Sequence, residues 1–280
     1  MWFCRTKGGN WIMNTYTKTT WGSGDLITAE KMNNIENQMY DVTNEFNNIE
    51  NQMYDVTNEL INLRAAIDYV DMKINSFSAS PNPTEPGSSG KEITLTWSRN
   101  KVPVSIVLKA GSTTISGVAT SDTSKTYTVP APNAASTAGW TTTFTLTMTD
   151  AGSTAGGKSP TSDTKTLNFN FSSKIYYGVS TNSSLTATQV KALGNNWSAT
   201  TSRAKSGVTI NATGSNRIWF AFPARLGTPV FRAGSESAPP GGFTHQSGTI
   251  SIENDDGFSE TYNLYYSNQT GLGSTVIYIS

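Results

Sequence analysis

A chain of 280 residues, 36% hydrophobic and 14% charged, has room for two or three modules at roughly 100–200 residues per domain. Lys plus Arg equals Asp plus Glu at 20 each, so nothing in the overall charge would hold a nucleic-acid backbone or an anionic membrane, and no run approaches the ~18 apolar residues of a membrane span. One cysteine, Cys4, and one histidine, His245, exclude an intrachain disulfide and any zinc site built from Cys and His of a single chain.

Residues 1–28 carry Trp2, Phe3, Trp11, Tyr16 and Trp21 among Gly, Thr and Lys, with no period. Aromatic side chains in such a segment suit a peptide that docks into pockets on a partner. The first seven residues lack the apolar core of a signal peptide, so a soluble chain that is not exported by that route is expected, with Met13 as an alternative start. Trp21-Gly22-Ser23-Gly24-Asp25-Leu26 reads as a turn, and Thr28 is placed to cap a helix starting near Ala29, with Glu30 favourable against its dipole.

From Met32 the apolar residues fall at Ile35, Met39, Val42, Phe46, Ile49, Met53, Val56, Leu60, Leu63, Ile67, Val70, Ile74 and Phe77, with spacings of three and four in strict alternation. Independent draws at this composition fill such a pattern with a probability on the order of 10⁻⁶. The spacing predicts a heptad seam on one helix over 29–77. A narrow apolar stripe on a long helix cannot be buried by that helix alone, which predicts self-association. With Met32 at position a, the d positions hold Ile, Val, Ile, Val, Leu, Val and Phe, and β-branched residues at d favour three strands over two. The segment 33–45 recurs letter for letter at 47–59, a period of fourteen or two heptads, which lengthens a rod without turning its seam.

Pro81 and Pro83 end the helical pattern and mark a boundary. Alternating runs at 93–97, 102–108, 112–117, 127–129, 143–148 and 167–171, separated by Gly, Pro, Ser and Asp, predict a β-sandwich of immunoglobulin type over 78–172, with Trp97 in its core. Residues 173–280 form a further β-rich module, with strands at 174–179, 208–210, 217–222, 249–252, 261–266 and 276–279. Thr186-Ala187-Thr188-Gln189 is a capping box and Gly194 suits a helix end, which predicts a short helix over 187–193. The segment 234–248 reads as the longest irregular loop, where binding usually resides. The class expected is therefore mainly β with an N-terminal α-helical trimeric coiled coil.

Catalytic patterns are missing. There is no Gly-x-Ser-x-Gly or His-Glu-x-x-His, and Gly87-Ser88-Ser89-Gly90-Lys91 is too short for a phosphate loop. No enzyme activity, cofactor or metal is expected. Glu253-Asn254-Asp255-Asp256-Gly257 offers oxygen ligands but lacks EF-hand spacing and reads first as a polar turn. Of the aromatics that could stack on sugars, Trp197, Trp219, Tyr265, Tyr266 and Phe243, Trp219 alternates with Ile218 and Phe220 inside a strand and reads first as core, and Phe243 is the preferred one because it lies in the long loop. His245 beside it is the only imidazole.

Residues 21–36, Trp-Gly-Ser-Gly-Asp-Leu-Ile-Thr-Ala-Glu-Lys-Met-Asn-Asn-Ile-Glu, closely resemble a motif near the N-terminus of many bacteriophage fibre and minor structural proteins. The order of parts agrees with such a fibre. The resemblance implies a homotrimer on the virion surface, made in the host cytoplasm. Residues 1–28, with Trp2, Phe3, Trp11, Tyr16 and Trp21, would anchor it to a capsid or tail protein, and the distal module would meet a bacterial surface glycan. Head and tail fibres share these features; the short chain without a long shaft favours the head. A decorative spacer without ligand and a glycan depolymerase are the alternatives.

Overall fold

The computed structural model describes residues 22–233 and 241–280, together with the backbone of two short antiparallel strands, β1 (Trp2–Arg5) and β2 (Trp11–Asn14). Tyr16, Trp21 and the side chains of Trp2, Phe3 and Trp11, the expected anchoring residues, lie outside the described residues. The chain is mainly β with one long N-terminal helix, and it divides into two compact units, Met1–Ile67 and Asp68–Ser280.

In the first unit the chain turns at Gly22, whose amide donates to the Asp25 carboxylate at 2.7 Å. The helix α1 (Ala29–Ile67) follows, and the Thr28 hydroxyl accepts from the Lys31 amide at 3.3 Å, the cap expected from sequence. The two copies of the repeat are also structural copies. Thr43 donates to the Met39 carbonyl at 2.9 Å, and Thr57, fourteen residues on, donates to the Met53 carbonyl at 2.7 Å.

The helix ends ten residues before the sequence pattern does. Of the expected seam over 29–77, Val70 lies in neither helix nor strand, and Ile74 opens strand β3 (Ile74–Ser80) with no exposed surface; Phe77 packs against the same core. The spacing 67, 70, 74, 77 continues the heptads, yet tertiary partners 27 to 92 residues away take the segment over. Tyr69 donates to both Asp150 carboxylate oxygens at 2.9 and 3.0 Å. The amides of Met72, Lys73 and Ile74 donate to the side chains of Thr161, Asn100 and Asp163 at 2.8, 3.0 and 2.6 Å. Lys101 donates to the Val70 carbonyl. Amides satisfied by side chains from distant loops are no longer available to a helix ladder.

The first β module of the second unit contains β3, β4 (Lys91–Arg99), β5 (Ser105–Ala110), β6 (Thr113–Thr114), β7 (Ser124–Val129), β8 (Thr141–Thr149) and β9 (Ser162–Asn170). They form two antiparallel sheets, ordered β3-β4-β7 and β6-β5-β8-β9, around a common core. Alternation along β4 and β8 puts Ile93, Leu95, Trp97, Phe144, Leu146 and Met148 inside, and Trp97, expected in the core, donates to the Asp122 carbonyl at 2.9 Å.

The second module follows without a linker. Its larger sheet is ordered β11-β10-β13-β17-β15, from β10 (Ser173–Ser180), β11 (Asn195–Ala199), β13 (Arg217–Pro223), β15 (Phe243–His245) and β17 (Ser259–Ser267), with β16 (Ile250–Glu253) also paired to β17. A smaller sheet is ordered β12-β18-β14, from β12 (Lys205–Ala212), β14 (Phe231–Ala233) and β18 (Gly273–Ile279). The larger sheet has a core on each face. Ile175, Phe220 and Phe222 pack with Val208, Ile210, Ile277 and Ile279 of the smaller sheet, while Tyr176, Trp219 and Leu264 pack with Val190 of helix α2 (Ala187–Lys191). Burial on both faces explains the unbroken apolar run Ile218–Phe222 where half-buried strands alternate. The capping box stands as read. The Gln189 amide donates to the Thr186 hydroxyl, the Gln189 side chain accepts from the Thr186 amide, and Gly194 turns the chain at a φ of +84°.

The two β modules interlock at the 172/173 boundary. Phe258 of the second packs into the core of the first, edge-on to Trp140 with centroids 6.0 Å apart. The Arg225 guanidinium lies 3.3 Å over the Trp140 ring.

Candidate functional site

Two features carry what this chain can do outside its own cores, and the first is the helix. No residue of α1 is buried, and its apolar residues Met32, Ile35, Met39, Val42, Phe46, Ile49, Met53, Val56, Leu60, Leu63 and Ile67 are 40 to 71% exposed. Spacings of three and four put them on one face of a helix of about 58 Å, at 1.5 Å per residue. Eleven large apolar side chains in one continuous stripe exceed the scattered exposed residues normal on a surface. Between Asn33 and Glu59 the remaining positions include six carboxylates, Glu36, Asp41, Glu45, Glu50, Asp55 and Glu59, and no Lys or Arg.

The second feature is the C-terminal β module, where sequence singled out Phe243 and His245. The structure brings Phe243 into the core instead of leaving it in a loop. Phe243 is half-buried in β15, pairs opposite Ser267 of β17 and stacks on Phe231 with centroids 4.2 Å apart. Its ring is occupied by packing, because the segment 241–248 adds a strand to the larger sheet. His245 is exposed and lies beside Tyr265, with ring centroids 5.0 Å apart. Trp219 and Tyr265 are buried, and Trp197 joins the cluster of Tyr177, Phe220 and Phe222. The expected sugar-stacking set is thus largely internal.

The acidic turn after β16 is used by the protein itself. Asn254 accepts the amides of Asp256 and Phe258 and donates to the Pro86 carbonyl at 2.8 Å. Lys91 pairs with Asp256 at 2.6 Å, and Lys174 and Lys191 approach Asp255 at 3.7 and 3.4 Å. These oxygens face ammonium groups of both modules, and among the described residues no three His, Cys, Asp or Glu gather as metal ligands.

Two polar clusters escaped sequence reasoning. At the junction, Arg225 and Glu260 form an ion pair at 2.7 Å with side chains 0 and 3% exposed. Ser173 donates to Glu260 at 2.5 Å, and Arg225 also donates to the Thr200 carbonyl and the Ser173 hydroxyl at 2.7 and 3.1 Å. Burial raises the Glu260 carboxyl above its usual range despite the Ser173 and Arg225 contacts, and burial likewise lowers the Arg225 guanidinium. Behind the helix exit, Asp150 has a nearly enclosed side chain, which opposes its charge. Lys101 at 2.6 Å, the amides of Thr161 and Gly152 and the Thr161 hydroxyl outweigh that and hold its carboxyl well below the ordinary range. Both clusters join residues far apart in the chain, so no local motif announces them.

No family model, no curated protein and no solved structure matches this chain.

Proposed function

We propose that this protein is a structural fibre of a phage particle that self-associates through α1 as a parallel homotrimer. The single observation that carries the reading is the 39-residue helix with no buried residue and one continuous exposed apolar stripe. A stripe of that length leaves water only by meeting copies of itself or another chain, and Ile35, Val42, Ile49 and Val56 at d favour three helices. The repeat supports a spacing role, since two heptads extend a rod while keeping its seam in phase. Residues 1–28 serve as the anchor to a capsid or tail protein, the module after the helix as an immunoglobulin-like spacer, and the distal module as the part that adheres to the host surface. The resemblance of residues 21–36 to phage fibre proteins supports the virion setting.

Sedimentation equilibrium of the full chain near neutral pH tests the assembly. Three times the 30.1 kDa chain mass is expected, and a monomer or dimer whose mass does not vary with concentration overturns it. Electron microscopy of particles labelled against residues 173–280 tests the setting: label on the particle periphery is expected, and particles without label overturn it.

A further inference from the structure

The smaller sheet of the distal module has a core face and an outer face. Ile277 and Ile279 point into the core, so Tyr278 between them faces outward, and strand pairing puts Arg232 of β14 directly opposite it. At that end of the face Lys205, Ser206, Arg232 and Tyr278 line an open depression of about 470 Å³, a volume within the range of small-molecule sites. Among the described residues no Asp or Glu lines it and Arg232 forms no ion pair.

The strand beside the half-buried Tyr278 is irregular. The pairing of β12 with β18 shifts between Lys205 and Val208, and Gly207 at this irregularity has a φ of +71°. A Cβ at 207 would lie 3.5 Å from Val276 Cγ1 and 3.7 Å from Tyr278 Cε1. Glycine is favoured here by the left-handed backbone, while a Cβ would make ordinary van der Waals contact beside the ring. Lys205 pairs opposite the core residue Ile279 and sets its Nζ 5.8 Å from the centroid of Trp197, which leaves Arg232 as the cation beside the Tyr278 ring.

We infer that this depression binds an acidic sugar unit of a polysaccharide. The pyranose face stacks on Tyr278, and the carboxylate or sulfate is held by the Arg232 guanidinium, suited to bidentate contact. Ser206 supplies a hydroxyl for the sugar's own hydroxyls. The inference rests on the adhesion reading of the distal module and gives it a substrate class.

An array of uronate, sialate, sulfated and neutral oligosaccharides, probed with the full chain, tests it. Retention on acidic sugars is expected, weakening as salt rises, and the uronate, sialate and sulfated arms tell the carboxylate from the sulfate source. Arg232→Ala and Tyr278→Ala are each expected to lower apparent affinity at least tenfold, with Tyr278→Phe restoring stacking and most of the binding. Far-UV circular dichroism of each variant controls for folding. Retention on neutral sugars that these variants leave unchanged overturns this site while adhesion stands. Retention on acidic sugars untouched by Tyr278→Ala reduces it to general charge attraction and also overturns it. No retention on any sugar, with particle adsorption to cells unaffected by removal of the protein, overturns site and adhesion together.

Discussion

The helix and the β unit use the same kinds of apolar residue to opposite ends. Ile67, the last residue of α1, is 71% exposed, whereas Ile74 is fully buried, although both fall on one uninterrupted heptad count. The β unit satisfies its apolar surface within one chain, so its stability should not depend on concentration. The helix leaves its stripe exposed, so in the proposed assembly its stability is expected to vary with concentration. Position in a pattern does not decide between these ends; the partners available within the chain do.

The sharpest way to separate the two regions is a charge in the seam. Ile49→Asp would set three carboxylates into one layer of a trimer, at a cost of several kcal/mol. The full chain is then expected to sediment as a monomer while the thermal transition of the β unit stays in place. Loss of both together would merge the regions that the comparison keeps apart.

Next in size is the junction. Arg225→Met leaves the Glu260 carboxylate buried without its cation, which should cost about 3–5 kcal/mol in denaturant unfolding of the β unit. Arg225→Met with Glu260→Leu should recover most of it, since a buried pair replaced by apolar groups is often neutral. A double variant as unstable as the single would locate the effect in the Trp140 stacking instead. Ile74→Ala should cost about 3 kcal/mol in the same measurement. Val56→Ala should leave that transition unmoved and weaken self-association alone.

Acid gives a contrast inside the β unit. The Asp150 carboxyl is depressed in the folded chain, so the stability it contributes is present above its unfolded pKa and is lost as pH falls below about 4. Asp150→Asn is expected to flatten the unfolding free energy over that window relative to the parent chain. Glu260 has the opposite sign: its raised carboxyl makes ionisation costly in the fold, and falling pH relieves that cost. An acid loss that disappears in Glu260→Gln rather than in Asp150→Asn would reverse the assignment. The smallest effect is expected from salt. With six carboxylates and no Lys or Arg over 33–59, a 22–67 peptide should melt a few degrees higher as moderate salt screens the repulsion. A fall would contradict this.

What sequence disclosed was whatever is local. The Thr28 cap, the start at Ala29, the Thr186 capping box and most strands follow from residues within a few positions of each other. The helix end was misread because Val70, Ile74 and Phe77 keep the helical spacing, while Asp150, Thr161 and Asp163, which claim that segment, lie some eighty to ninety residues on. Phe243 was misread as a loop residue because its stacking partner Phe231 lies on another strand. Arg232 and Tyr278 are unremarkable where they occur in the chain and meet only through the β14-β18 pairing.

The duplicated block has a consequence for alignment. Because 33–45 and 47–59 are identical, a helix displaced along its neighbours by fourteen residues, about 21 Å, meets Ile35 with Ile49, Met39 with Met53 and Val42 with Val56, three layers chemically the same as the aligned ones. Copying a sequence adds length but erases information about position, as identical teeth do on a ratchet. The flanking layers differ: Met32 meets Phe46, Phe46 meets Leu60, Ile49 meets Leu63 and Met53 meets Ile67. A trimer built on this stripe must therefore take its stagger from outside the repeat: from the unrepeated layers Leu63 and Ile67, and from the bulky β unit that begins at Asp68 in every chain.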